Sequence, residues 1–202
     1  MPSAAKNNFS SHISQCDDAA KIYNFLVTKG YAADFGLRFV WVAAISALDN
    51  YISELVVEKA TEIYSNKGSL PKKLQAEGVP LEKVLEFQLS NPIEATMIFR
   101  KLITNSVKFQ TFQSADGVAS GLAYIWDEQH KWKRISEGMG MQLKPAKGKL
   151  NSICFRRNAI AHNADYDMSS NKLRDCKLED AVAASEFVKE LVNTIDDLVS
   201  SL

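Results

Sequence analysis

Apolar positions recur at steps of three and four through most of the chain, a spacing that predicts helices. The longest run is Leu37, Val40, Trp41, Ala44, Leu48, Tyr51, Ile52, Leu55, Val56, Ala60 and Ile63, over about 33–64. Ala43, Ile45 and Ala47 make its first half apolar almost all round, so this helix should be central. Upstream, Ala20, Tyr23, Leu26 and Val27 predict a helix with Ser14 as N-cap, Asp17 in its first turn and Gly30 at its end. Residues 1–13 read as a flexible N-terminal arm.

Beyond the central helix, Gly68 and Pro71 mark a polar, basic connector to Gly78, then a short helix over 81–89. Asn91-Pro92-Ile93-Glu94 sets a capping asparagine, proline at the first helical position and glutamate at the third. That predicts a helix from Pro92 to about 105. Another is expected over 118–126, bending on toward 136. Gly138, Gly140, Pro145 and Gly148 suggest a flexible connector into a helix over 149–164. After a polar loop at 165–177, Ala181, Phe187, Val188, Leu191, Ile195 and Leu198 stripe a final helix over 178–202. No strand-like alternation exceeds four residues. The expected fold is all-α: one domain over 14–202, a helical bundle of six to eight helices.

Composition changes this picture little. The chain is 46% hydrophobic and 24% charged with zero formal net charge, as in ordinary globular domains. Zero net charge supplies no global field for nucleic acid, so such binding would need a local patch. Cys16, Cys154 and Cys176 are odd in number and lack a CxxC spacing, which fits reduced thiols better than a disulfide framework or zinc site. The first residues show no apolar signal core, and no run approaches the ~18 apolar residues of a membrane span. The expectation is a cytoplasmic protein without a membrane partner.

The chemistry is concentrated in Arg156-Arg157-Asn158-Ala159-Ile160-Ala161-His162-Asn163-Ala164-Asp165. At about 100° per residue, Leu150, Ile153, Cys154, Arg157, Ile160 and Ala161 share one sector of a helix, so Arg157 falls within an apolar stripe. A cation there must be paired, snorkel, or face an interface or cleft. Glu54, Asp180 and Glu186 are candidate structural partners for it. Asn158 and His162 lie one turn apart on the flank, and Arg156 points away from the stripe toward solvent. The alternative for His162 is a helix-end histidine facing the C-terminal dipole. His130-Lys131-Trp132-Lys133-Arg134 reads either as a solvated helix face or as a basic patch with an aromatic for base stacking.

Arg157-Asn158-x-x-x-His162 resembles the signature of the HEPN superfamily: an arginine, a polar residue directly after it, and a histidine four to six residues beyond. Leu37-Arg38-Phe39-Val40-Trp41-Val42-Ala43-Ala44-Ile45-Ser46-Ala47-Leu48-Asp49 also looks like the first core helix of its RiboL-PSP-HEPN branch, with Trp126 preceding the motif. The resemblance extends from about residue 33 onward. It implies an all-α fold and a metal-independent endoribonuclease without cofactor, active as a homodimer. In that reading Arg157, Asn158 and His162 are the catalytic set, and RNA is the substrate.

On that implication His162 is the base or acid, because histidine is the residue type in the motif suited to proton transfer. Arg157 offers a planar fork for phosphate oxygens. Asn158 orients the imidazole or the phosphate. Arg156, Lys131, Lys133 and Arg134 are the candidate substrate-binding cations. One histidine cannot easily serve as base and acid together, and a dimer supplies the second. The three histidines and scattered cysteines suggest no metal site. The implied setting is toxin, stress or phage defence, with an antitoxin or defence protein as partner. HEPN toxins paired with nucleotidyltransferase antitoxins carry a tyrosine two residues after the histidine; here that position is Ala164, with Tyr166 two further on. The rival reading is a non-catalytic HEPN module that binds RNA, a nucleotide or a protein.

Overall fold

The central helix predicted from the apolar run is present as α2, Asp34–Ser65, in a computed structural model that describes residues 3–167 and 169–200. Leu37, Val40, Ala44, Ile45, Leu48, Tyr51, Ile52, Leu55, Val56 and Ala60 are all buried along it. By length and composition α2 is apolar enough to cross a membrane. Here, with Phe35 and Phe39 left exposed, much of its apolar surface packs against the protein's own helices. These are α1 (Ala4–Thr28), α5 (Pro92–Val107), α6 (Ala115–Leu122), α8 (Leu143–Asn163) and α9 (Leu178–Ser200). The remaining elements are α3 (Lys72–Gln75), α4 (Leu81–Leu89) and α7 (Lys131–Gly138), with a two-stranded ribbon of β1 (Tyr166–Asp167) and β2 (Lys172–Leu173). The nine helices among the described residues exceed the expected six to eight because α3 is one turn and α6 and α7 are separate, not one bent helix.

Residues 3–13 are not a loose arm. Ser3 caps α1 by accepting from the Lys6 N–H at 3.0 Å, and the Glu58 carboxylate accepts from the N–H groups of Ala4 and Ala5. Ala5, Phe9, Ile13, Cys16 and Ala19 step along one buried face. The Ser3 hydroxyl also donates to Asp196 Oδ1 at 2.6 Å, which accepts from Tyr51 Oη at 3.3 Å. One buried carboxylate thus joins the start of α1 to α2 and α9. Ser14, expected as the cap, is mid-helix and donates to the Ser11 carbonyl.

Local start signals fared well where the chemistry was complete. Asn91 and Glu94 form a reciprocal capping box with Pro92 at the first helical position. By contrast α8 starts at Leu143, six residues before the expected start. Pro145 is its third residue, where the missing N–H has no intrahelical acceptor to lose.

Gly121 of α6 is required by packing. A Cβ there would lie 2.5 Å from Ile52 Cγ2 and 3.0 Å from Phe112 Cδ1, both in fully buried side chains. Gly121→Ala should cost about 2–3 kcal/mol through overpacking, outweighing the roughly 1 kcal/mol alanine gains in helix propensity. Denaturant unfolding reads the difference.

Candidate active site

As α8 runs toward its C-terminus it leaves the core. Leu150 and Ile153 are buried, Arg157 and Asn158 are half-buried, and Ala161 and His162 are exposed. Arg157 therefore sits where an apolar stripe opens to solvent, as its spacing predicted. Its Nη1 donates to Asn158 Oδ1 at 3.0 Å, and its buried Nε has no acceptor among the described residues. Nor does any described carboxylate pair with it. Of the partners considered, Glu54 accepts from Asn8 and Asn50, and Glu186 pairs with Lys189. A half-buried guanidinium without a counter-anion is costly for folding and ready for an anionic ligand.

Asn158 is held in turn by Cys154, whose Sγ accepts from Nδ2 at 3.8 Å. Burial pushes the Cys154 thiol up, against the nearby Arg157 charge, which makes it an inert floor for the site. Arg157 and His162 are five residues apart, about 140° around the helix and about 7.5 Å along it. The bond to Asn158 turns the guanidinium toward the His162 flank. The His162 side chain has no hydrogen-bond partner among the described residues, so both ring nitrogens are free for a ligand.

The end of α8 is fixed by an ionic clamp. Asp165, fully buried, accepts at Oδ2 from Arg38 Nε at 2.9 Å and from Arg156 Nη2 at 2.8 Å. Arg38 also donates to the Arg174 carbonyl, and Arg156 to the Asp175 carbonyl, both at 2.9 Å or less. Ala164 and Asp165 are both left-handed, at φ +49° and +64°, and the Asp165 N–H closes the helix on Ala159 O at 3.0 Å. This reversal turns the aspartate back toward the end of the helix whose last turn carries His162.

Arg156 is accordingly corrected: it is not exposed but largely buried and committed to Asp165. The basic run is dispersed as well. Trp132 is buried and its indole N–H donates to Ala115 O at 2.6 Å, so it presents no face for stacking. Lys131 donates to Glu128 O at 2.6 Å, and burial pushes its ammonium down. Lys133 and Arg134 are exposed. The run borders Leu143 and Lys147 at the far end of α8, and Lys147 is ten residues, or about 15 Å of helix, from Arg157. The structure does not bring Lys131, Lys133 or Arg134 to the motif.

Reading the sequence missed Arg38 and Asp49. Asp49 accepts from the Phe112 N–H at 2.6 Å and Gln113 Nε2 at 2.8 Å, and its charge reaches Cys154. Both are charges inside the most apolar helix, and that was the available signal. Large apolar side chains also stand exposed about the clamp: Phe35 and Phe39 on α2, Phe155 on α8, and Tyr166 and Leu173 on the ribbon.

An all-α bundle carrying an arginine–polar–histidine motif at the open end of its penultimate helix defines a HEPN-type module. The chain belongs to the RiboL-PSP-HEPN family, whose sequence profile matches residues 5–201. No curated protein and no solved structure gives a significant match.

Proposed function

We propose that this chain is a metal-independent endoribonuclease that works as a homodimer, with Arg157, Asn158 and His162 of both copies facing one cleft. The observation that carries the reading is the half-buried Arg157 guanidinium, held by Asn158 and matched by no described carboxylate. A scissile phosphate supplies the missing anion. One His162 takes the proton from the ribose 2′-oxygen, which attacks phosphorus. The P–O5′ bond breaks, and the other copy's imidazolium protonates the leaving oxygen. Arg157 stabilises the charge gathering on the phosphorane. The products are a 2′,3′-cyclic phosphate and a 5′-hydroxyl.

The exposed Phe35, Phe39, Phe155, Tyr166 and Leu173 supply apolar surface for the second copy, beside the end of α8. Replacing Phe39 and Phe155 with glutamate should convert the dimer to monomer in sedimentation velocity and abolish cleavage together. The setting proposed is toxin, stress or phage defence in a cytoplasm, with an antitoxin or defence protein as regulator. The defining experiment is incubation of pure protein with RNA in EDTA. Cleavage that stops when the ribose at the scissile position is 2′-deoxy supports the reading; cleavage that persists contradicts it. A non-catalytic, RNA-binding HEPN module is the second reading, favoured by the absence of any described side chain orienting the His162 ring.

A further inference from the structure

A cleft lies apart from Arg157, between the start of α1, the middle of α2 and the second half of α5. Its floor is apolar, with Val57 and Val107 buried at its base. Its two rims carry opposite charge. Arg100 on α5 and Lys108 at its C-terminal cap are eight residues, about two turns, apart and exposed, and no described carboxylate pairs with either; Lys108 lies only over the Phe109 ring. On α2, two carboxylates line the gap: Glu58 is taken up by the N–H groups of Ala4 and Ala5, and Glu54 is fixed by two carboxamides, accepting from Asn8 Nδ2 at Oε2 and Asn50 Nδ2 at Oε1, each at 3.0 Å. No described ion pair crosses the gap, which encloses about 530 Å³ and suits a small molecule or one residue of a polymer.

Two unpaired cations facing a pre-set carboxylate across an apolar floor call for a ligand that is anionic at one end, flat in the middle and rich in N–H donors at the other. A nucleotide with an amino-bearing base has that form. Each Glu54 oxygen keeps a lone pair beyond the one its asparagine occupies. Adenine, cytosine and guanine each present an exocyclic amine, and uracil does not. We propose that this cleft is a nucleotide subsite that holds phosphate on Arg100 and Lys108 and an amino-bearing base against Glu54.

The choice of a nucleotide over another zwitterion rests on the ribonuclease reading. Both places border α2. Asn50 lines the cleft, and Asp49 beside it reaches Cys154, which holds Asn158.

The test is direct titration, by calorimetry or amide shifts, of the His162→Ala protein with 5′-AMP, 5′-GMP, 5′-CMP, 5′-UMP and inorganic phosphate. The amino-bearing nucleotides should bind about tenfold or more tighter than UMP or phosphate. Arg100→Ala with Lys108→Ala should weaken every nucleotide by about tenfold or more. Glu54→Gln should bring the amino-bearing nucleotides down toward UMP and leave UMP itself unchanged. UMP binding as tightly as GMP, or wild-type affinity in the double variant, overturns the subsite. Cleavage plays no part in the readout. RNA cleavage without nucleotide selectivity sinks the subsite alone, and nucleotide selectivity without RNA cleavage sinks the ribonuclease reading alone.

Discussion

Asp165→Ala should lower the unfolding free energy by about 3–5 kcal/mol, because it removes the shared partner of two largely buried guanidiniums. For a chain of this size that is a drop of roughly 10 °C in Tm. Part of the loss is conformational, since alanine tolerates φ +64° less well than aspartate. Asp165→Asn separates the two contributions. Asparagine keeps the left-handed turn and the shape but not the charge, so it should recover only about 1 kcal/mol of the alanine loss. Near-complete recovery would mean that the clamp is geometric and not ionic. Because Asp165 is three residues past His162, both variants should also loosen the turn carrying the imidazole. Faster amide exchange at the end of α8 than in α2 would record that.

Arg157→Met should move stability and activity in opposite directions. Methionine fills the half-buried position without an unpaired N–H, so stability should hold or rise by up to about 1 kcal/mol. Cleavage, on the proposed mechanism, should fall by about 10²–10³ in kcat. Arg157→Lys should not rescue it, since an ammonium cannot bond Asn158 and fork a phosphate in one plane. His162→Ala should cost about 10²–10⁴ in kcat with stability changed by less than about 0.5 kcal/mol, as the side chain is exposed and unpartnered. A residue that the fold would be better without is explained by function. If Arg157→Met unfolds the protein instead, Arg157 is a structural group and its place in the site is wrong.

What was legible in the sequence was whatever short-range chemistry decides. Asn91, Pro92 and Glu94 carry the start of α5 within four residues, and nothing distant competes with them. The stripe through Leu150, Ile153 and Cys154 placed Arg157 correctly because helical periodicity is local. The start of α1 was missed because the partners of its buried face, on α2 and α9, lie far along the chain, and Asp196 is 193 residues from the Ser3 it binds. Arg156 was misplaced for the same reason: its solvent-facing angle on α8 is overridden by a left-handed reversal that carries Asp165 beneath it and by Arg38, 127 residues upstream of Asp165. Neither reading of the run around Trp132, solvated face or stacking patch, foresaw its burial, because its Ala115 carbonyl partner belongs to another helix. Pro145 and Gly148 read as breakers, although the first turn of a helix tolerates proline. Charges within α2 marked long-range polar contacts at Arg38 and Asp49, and sequence reading passed over them.

The proposed active site is one cleft built from two copies of Arg157, Asn158 and His162. It is tested most directly with a heterodimer of one wild-type and one His162→Ala chain, purified through two different tags. On the proposed mechanism base and acid come from different copies, so the heterodimer should cleave RNA as poorly as the His162→Ala homodimer. Half of the wild-type rate would contradict a composite site and show that each chain cleaves alone.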